Sequence, residues 1–351
     1  MEIGIYSFGD ATPDPITGER PDERQRIREL VEEIELADQV GLDVFGVGEH
    51  HRPDFPVSSP VTVLAAAAAR TKRIRLTSAV TVLGSQDPVR VFQDFATIDA
   101  ISSGRAEIMA GRGSFIESFP LFGYDLADYE GLFLEKLDLL MQLNEQEVVT
   151  WSGRYRAPIE GRPVHPRPQQ ERIPIWVAVG GTPQSVVNAA RRGLPISIAI
   201  IGAAAQPFIP MVRLYREALG QSGFDPDGPL AIGSHGFIAD TADEAADISA
   251  PGLMAAMNQL GRERNWGAEI DRVQFDRMRE PHAALMVGSP DDVAQKILDE
   301  YEMFGNSRAM IHMGVGHPPH EAMMRSIELL GTVVAPRVRE AVAELQAAPA
   351  R

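Results

Sequence analysis

The feature that most restricts the fold is a repeated alternation. Short apolar, β-branched runs are each followed by a segment with helical periodicity. Ile3 to Phe8, Asp43 to Gly48, Arg73 to Leu83 and Arg105 to Ala110 read as the first four strands. Ile175 to Val179, Leu194 to Ile201, Leu230 to Ala239 and Ala309 to Gly314 supply four more. Helix signals separate them. Asp22 with Gln25 resembles a capping box, and Ile27, Leu30, Val31, Ile34, Ala37 and Val40 recur at helical spacing until Gly41. Ser59-Pro60, Asp87-Pro88, Thr182-Pro183, Thr241 and Ser289-Pro290 open further helices, and the last runs roughly from His320 to Leu345. Strands alternating with helices predict an α/β chain folded as one (β/α)8 TIM barrel. The expected barrel domain spans residues 1–345, with insertions near 113–129, 147–173 and 259–281 and a frayed tail over 346–351.

Composition narrows the function. The chain has 351 residues, a length that one barrel with insertions can reach. Its 33 Lys plus Arg against 49 Asp plus Glu give a formal charge of −16, which opposes nonspecific attraction to nucleic acid or anionic membranes. Cysteine is absent, which removes disulfides, thiolate metal sites and a catalytic thiol, so redox chemistry here needs a cofactor. No signal-peptide pattern follows Met1 and no apolar run approaches membrane-spanning length, so the expected compartment is cytoplasmic.

Polar chemistry gathers where strands end. Glu49-His50-His51 closes the second strand, and strand alternation puts His50 on one face with Val44, Gly46 and Gly48, leaving Glu49 and His51 on the other. A barrel would bring these residues to one mouth together with Thr81, Arg112, Gly180-Gly181, His235 and His312. Gly180-Gly181-Thr182-Pro183 suits a phosphate, since glycines admit close backbone approach and a helix begins there; it suits an ordinary turn equally well. Gly314-Val315-Gly316 is a rival phosphate loop. Arg112, set between Gly111 and Gly113, can pair a phosphate with two hydrogen bonds or make a surface ion pair. There is no Rossmann or Walker loop and no HxH or HExxH spacing, so no metal centre is expected, although His50 could still join His235 and His312 around one.

In order and spacing, Gly41-Leu42-Asp43 to Glu49-His50-His51, Ile74 to Leu83 before Asp87-Pro88-Val89-Arg90, Ser103-Gly104-Arg105 before Gly111-Arg112-Gly113, and Pro174 to Gly181 resemble the bacterial-luciferase-like flavin monooxygenases. The resemblance covers roughly Glu2 to Val338 and implies a (β/α)8 barrel, usually a homodimer, that uses reduced FMN or, in some branches, F420. It implies that His50 matches the active-site histidine, with His51 and Glu49 orienting it, and that Arg112 contacts the flavin phosphate. It further implies that Gly180, Gly181 and Thr182 form the phosphate loop, and that Ala79-Val80, next to Thr81, is a non-proline cis peptide beneath the flavin ring. His235 and His312 would face the substrate, and residues 259–281 would form a lid. Gly111 stands where luciferase has its reactive cysteine, and Gly180-Gly181 where it has Glu-Ser, which argues against light emission.

The implied function is oxidation of a small organic substrate by reduced FMN and O2, with a separate flavin reductase as partner because the chain lacks a pyridine-nucleotide fingerprint. The alternatives are an F420-dependent oxidoreductase on the same fold, a metal-dependent barrel hydrolase and a non-catalytic flavin-binding protein.

Overall fold

In the computed structural model the eight expected strands close into a parallel barrel. The structure describes residues 1–113, 115–201, 204–265 and 267–347. The barrel strands are β1 (Glu2–Ser7), β2 (Val44–Val47), β3 (Arg75–Ser78), β4 (Ala106–Gly111), β5 (Ile175–Val179), β6 (Ile196–Ile200), β7 (Leu230–Ile238) and β8 (Arg308–His312). Each pairs in parallel with the next, and β8 returns to β1 with Tyr6 opposite His312.

Helices α1 (Glu23–Gln39), α2 (Pro60–Ala68), α3 (Pro88–Ser102), α4 (Tyr129–Glu145), α5 (Pro183–Ala190), α6 (Ile209–Gln221), α7 (Ala242–Arg264) and α8 (Pro290–Phe304) cover the outside. Their starts follow local chemistry. Asp87 accepts from the Val89 and Arg90 amides, Thr241 from Glu244, and Ser289 with Asp292 forms a full capping box. Asp22 caps α1 through the Arg24 amide, but Gln25 bonds Glu29 instead, so the expected box is only half made. The core lies between the sheet and this helical layer, where residues such as Phe45, Leu76, Phe92 and Ile297 are fully buried.

The insertions have more structure than their composition suggests. Val148–Trp151 and Ile159–Pro163 form a hairpin in the 147–173 insertion, and a short helix, Ser118–Phe122, sits in the 113–129 segment. The expectation for residues 259–281 is an insertion outside the barrel elements. Instead, 259–264 are the last turns of α7, and Arg272–Met278 is a further helix, because Asp271 caps it and buried Phe275 and Met278 anchor it. The terminal helix also outlasts the expected end at Leu345: His320–Leu329 passes through 330–334 into Ala335–Ala347. Residues 348–351 of the expected frayed tail lie outside the described residues. Among the described residues, no helix is long and apolar enough to cross a membrane.

Candidate active site

Alternation along the strands builds the mouth. Small inward residues, Gly111 at the end of β4, Ala178 on β5, Ala199 on β6 and Gly233 on β7, leave a cavity of about 1080 Å3 above the barrel floor. His50, Arg112, Gly180 and Thr182 line it, with Tyr6 on β1 and Met109 on β4. Ala79 and Val80 form part of its wall, and the peptide bond between them is cis, as expected. A second cavity of about 760 Å3 lies beside it under α7, and Phe8 and Ile201 line both. His235 and His312 face this second space.

One end of the first cavity is built for an anion. The Arg112 guanidinium donates to the Ser185 hydroxyl at 2.8 Å and lies 5.4 Å from the centre of the Tyr129 ring. Across from it the chain turns through Gly180 and Gly181 into α5. A Cβ on either glycine would meet nothing within 4 Å, and Gly181 has φ +116, a conformation that favours glycine. Thr182 occupies the N-cap without a side-chain cap bond; Pro183 carries no N–H and the Ser185 amide donates to the Thr182 carbonyl at 3.0 Å, which leaves the Gln184 amide of the first turn for a ligand. A positive side chain, an open glycine turn and a helix start fit a phosphomonoester, and the long cavity beside them fits the ring system of a flavin.

The histidines differ in role. His50 is packed against Phe8 and Phe55, each at 4.5 Å between ring centres, and Phe115 at 5.3 Å. Burial pushes its imidazole from the ordinary 6.5 down to about 3, and does the same to His235, so both are neutral at working pH. The Nδ1 atoms of His50, His235 and His312 are buried and have no partner among the described residues. His312 Nε2 lies 3.2 Å from Asp10 Oδ2. Burial alone would raise the Asp10 carboxyl, but His312 above all, followed by Arg26, keeps it below the usual carboxylate range.

The other expected site residues divide. Glu49 lines the first cavity with His50, and it accepts from the Val82 amide at 2.9 Å, from Gln86 at 3.0 Å and faces His51 Nε2 at 3.1 Å, so it ties the segment after β3 to the end of β2. No hydrogen bond joins Glu49 or His51 to His50 among the described residues, which corrects the expectation that they orient its ring. His51 points outward, as alternation predicts, with its ring 5.1 Å from that of Phe122. Thr81 also leaves the expected cavity wall: its hydroxyl donates to Ser78 Oγ at 2.9 Å, since Ser78 already bridges β3 to Met109 on β4. Sequence reasoning passed over Asp10, although Ser7-Phe8-Gly9-Asp10 ends β1 by the same strand-end rule that singled out Glu49-His50-His51. Gly9, at φ +66 with Val57 where a Cβ would stand, makes the turn that delivers it.

The comparisons agree with this geometry. The chain is similar to the crystal structure of monooxygenase RslO1 from Streptomyces bottropensis at 27% identity, covering 96% of this chain and 99% of that one with a TM-score of 0.80. It shares its fold with the oxygenating constituent of 3,6-diketocamphane monooxygenase from Pseudomonas putida, solved in complex with FMN, at 20% identity over 96% and 99% of the two chains and a TM-score of 0.78. It is 24% identical to an F420-dependent glucose-6-phosphate dehydrogenase of Segniliparus rotundus over 89% of this chain and 94% of that protein. Residues 1–326 match the luciferase-like monooxygenase family as a whole. The chain therefore belongs to the luciferase-like monooxygenase family, a family of oxidoreductases.

Proposed function

We propose that this protein is a flavin-dependent monooxygenase that takes reduced FMN from a separate reductase and uses O2 to oxidise a small organic substrate. The observation that carries this reading is the anion cradle of Arg112 and the open Gly180-Gly181 turn at one end of the cavity that Ala79-Val80 lines. Bound there, the flavin supplies the activation of O2. Arg112 and the Gly180-Gly181 turn with the Gln184 amide hold its phosphate, while Val80, Met109 and Met310 pack along the cavity. His50, held neutral, offers a hydrogen bond rather than a positive charge. Phe8, Phe55 and Phe115 close around His50 and exclude water, which protects a reactive oxidant from hydrolysis.

The end of α7 acts as a cover over the second cavity. Arg52 pairs with Glu263 at 2.6 Å, and Asp54 accepts from Gln259 at 3.0 Å, which pins the helix to the segment after β2. The protein works as a homodimer, with the exposed Ala66 and Ala69 of the α2 segment in close helix contact, while Ala67 and Ala68 pack in the core. Sedimentation showing a monomer at micromolar concentration would end the dimer proposal. F420 is the second reading, favoured by the F420-dependent relative. Titration with each cofactor decides between them: FMN should bind, and Arg112→Ala should weaken it by about 1.5 to 3 kcal/mol, the range for a hydrogen bond to a charged group. Tighter binding of F420 than of FMN would overturn the FMN assignment. Among the described residues no group of three His, Cys, Asp or Glu is arranged to hold a metal.

A further inference from the structure

The cavity under α7 contains a pair of groups that flavin binding leaves unused. Asp10 and His312 are both buried, and their facing atoms are 3.2 Å apart. The pair is held on both sides. Arg26 donates to the Asp10 carbonyl at 3.2 Å and is itself paired with Glu33 at 2.8 Å. The His312 ring stacks on Tyr6 at 4.8 Å and packs on Phe8 at 4.2 Å. A carboxylate on the Nε2 side favours the tautomer with its proton on Nε2, which leaves Nδ1 as an acceptor. That atom is buried, has no partner among the described residues, and belongs to a residue lining the cavity. His235 stands beside it, 5.1 Å between ring centres.

The walls indicate what could meet this acceptor. Phe8, Phe55, Phe115, Met257, Leu260 and Val315 give an apolar, largely aromatic surface suited to a ring. Arg52 is already engaged by Glu117 and Glu263, and an ionised Asp10 repels an anion. We propose that Asp10 and His312 form a proton-accepting dyad for a neutral, hydroxyl-bearing aromatic substrate of the phenol class bound in the α7 cavity. The proposal rests on the monooxygenase reading, because it places the substrate in the compartment adjoining the flavin cavity.

The step balances within the pair. The substrate O–H bond breaks, its electron pair stays on oxygen, and the proton forms an N–H bond at His312 Nδ1. Asp10 remains ionised and faces the imidazolium, which makes it a positioning residue. The titratable neighbours of His312 are Asp10, Tyr6, His235 and His50, with Arg26 behind Asp10. Burial holds His50 and His235 at about 3, so neither retains a proton it receives. The phenolate left behind has the electron-rich ring that electrophilic oxygenation requires.

The test is titration of the full-length protein with 4-nitrophenol, with and without FMN, in buffer below the probe's own ionisation. Wild type should bind the probe and develop its yellow phenolate band. His312→Gln and Asp10→Asn should lower that band at least about tenfold, the equivalent of one charge-assisted hydrogen bond, while Asp10→Glu restores part of it. Leu260→Trp, which fills the cavity and leaves the dyad alone, should abolish binding and carries the test if a dyad variant misfolds. A probe that binds only as the neutral phenol, a band that survives Asp10→Asn and His312→Gln, or binding untouched by Leu260→Trp would each overturn the proposal. FMN affinity measured in parallel separates the two readings: failure to bind FMN counts against the monooxygenase, whereas normal FMN affinity with no phenolate band counts against the dyad alone.

Discussion

The floor and the mouth of the barrel both bury charged or polar side chains, but they treat them in opposite ways. At the floor, Arg308 donates to Glu107 through two bonds of 2.8 and 3.1 Å and to Glu2 at 2.8 Å, and its guanidinium lies 4.4 Å from the centre of the Trp176 ring. Each charge there has a fixed protein partner. At the mouth, three histidines keep a buried ring nitrogen without one. A buried polar group left unpartnered costs roughly 1 to 3 kcal/mol, so its persistence in three neighbouring residues points to a ligand that completes them. The floor holds the barrel together, and the mouth is kept ready for another molecule.

Breaking the floor should produce the largest effect. Arg308→Met leaves buried Glu107 with only its longer contact to Arg75, at 3.3 Å, and should cost about 3 kcal/mol in denaturant unfolding. Arg308→Met with Glu107→Met should recover most of that loss. An Arg308→Met protein as stable as wild type would remove the contrast between the two ends.

The mouth should respond in activity. His50→Ala should cost about 1 to 3 kcal/mol of transition-state stabilisation, read as a roughly 10- to 100-fold fall in kcat/KM with little change in FMN affinity. Wild-type turnover in His50→Ala would make His50 a packing residue. Replacing His235 by Met removes an unpartnered buried nitrogen and should raise stability by about 1 kcal/mol. A destabilised His235→Met would mean that this nitrogen has a structural partner.

Acid sharpens the same contrast. His50 and His235 are depressed from 6.5 to about 3 in the folded chain, so the unfolded chain binds more protons between those values. Their contribution is complete above 6.5 and is lost as pH falls towards 3. Glu300, buried beside Ser234 and raised from 4.5 to about 8, works the other way: its contribution is complete below 4.5 and is lost as pH rises towards 8. His235→Gln should therefore flatten the fall in melting temperature on the acid side and leave the alkaline side unchanged. Identical acid limbs in the two proteins would show that His235 is not held neutral by burial. The smallest effect is expected at His51→Ala, under about 1 kcal/mol in stability and near wild type in turnover, since its partner Glu49 keeps its bonds to Val82 and Gln86. A large activity loss there would move His51 into the site.

Much of this was legible along the chain. Period-2 alternation put His50 inside and His51 outside, and Pro- and Asp-marked helix starts located α3, α5 and α8. The resemblance supplied the cis Ala79-Val80 bond, a backbone state that neither residue type announces. Thr81 was misplaced because its hydroxyl had a nearer partner in Ser78, and the 259–281 segment because its charge masked the continuing turns of α7.

The sequence by itself determined the alternating architecture, the inward face of each strand and the residue types at the strand ends, since these follow from local periodicity and from steric limits on neighbouring residues. Only the tertiary structure decided which of those residues are paired. Asp10 meets His312 across 302 positions and Arg308 meets Glu107 across 201, contacts that exist only once β8 closes against β1. Barrel closure sets both the distance between such groups and the amount of water left to solvate them. Those two quantities make His50 and His235 at the mouth neutral, and make Arg308 at the floor part of the scaffold.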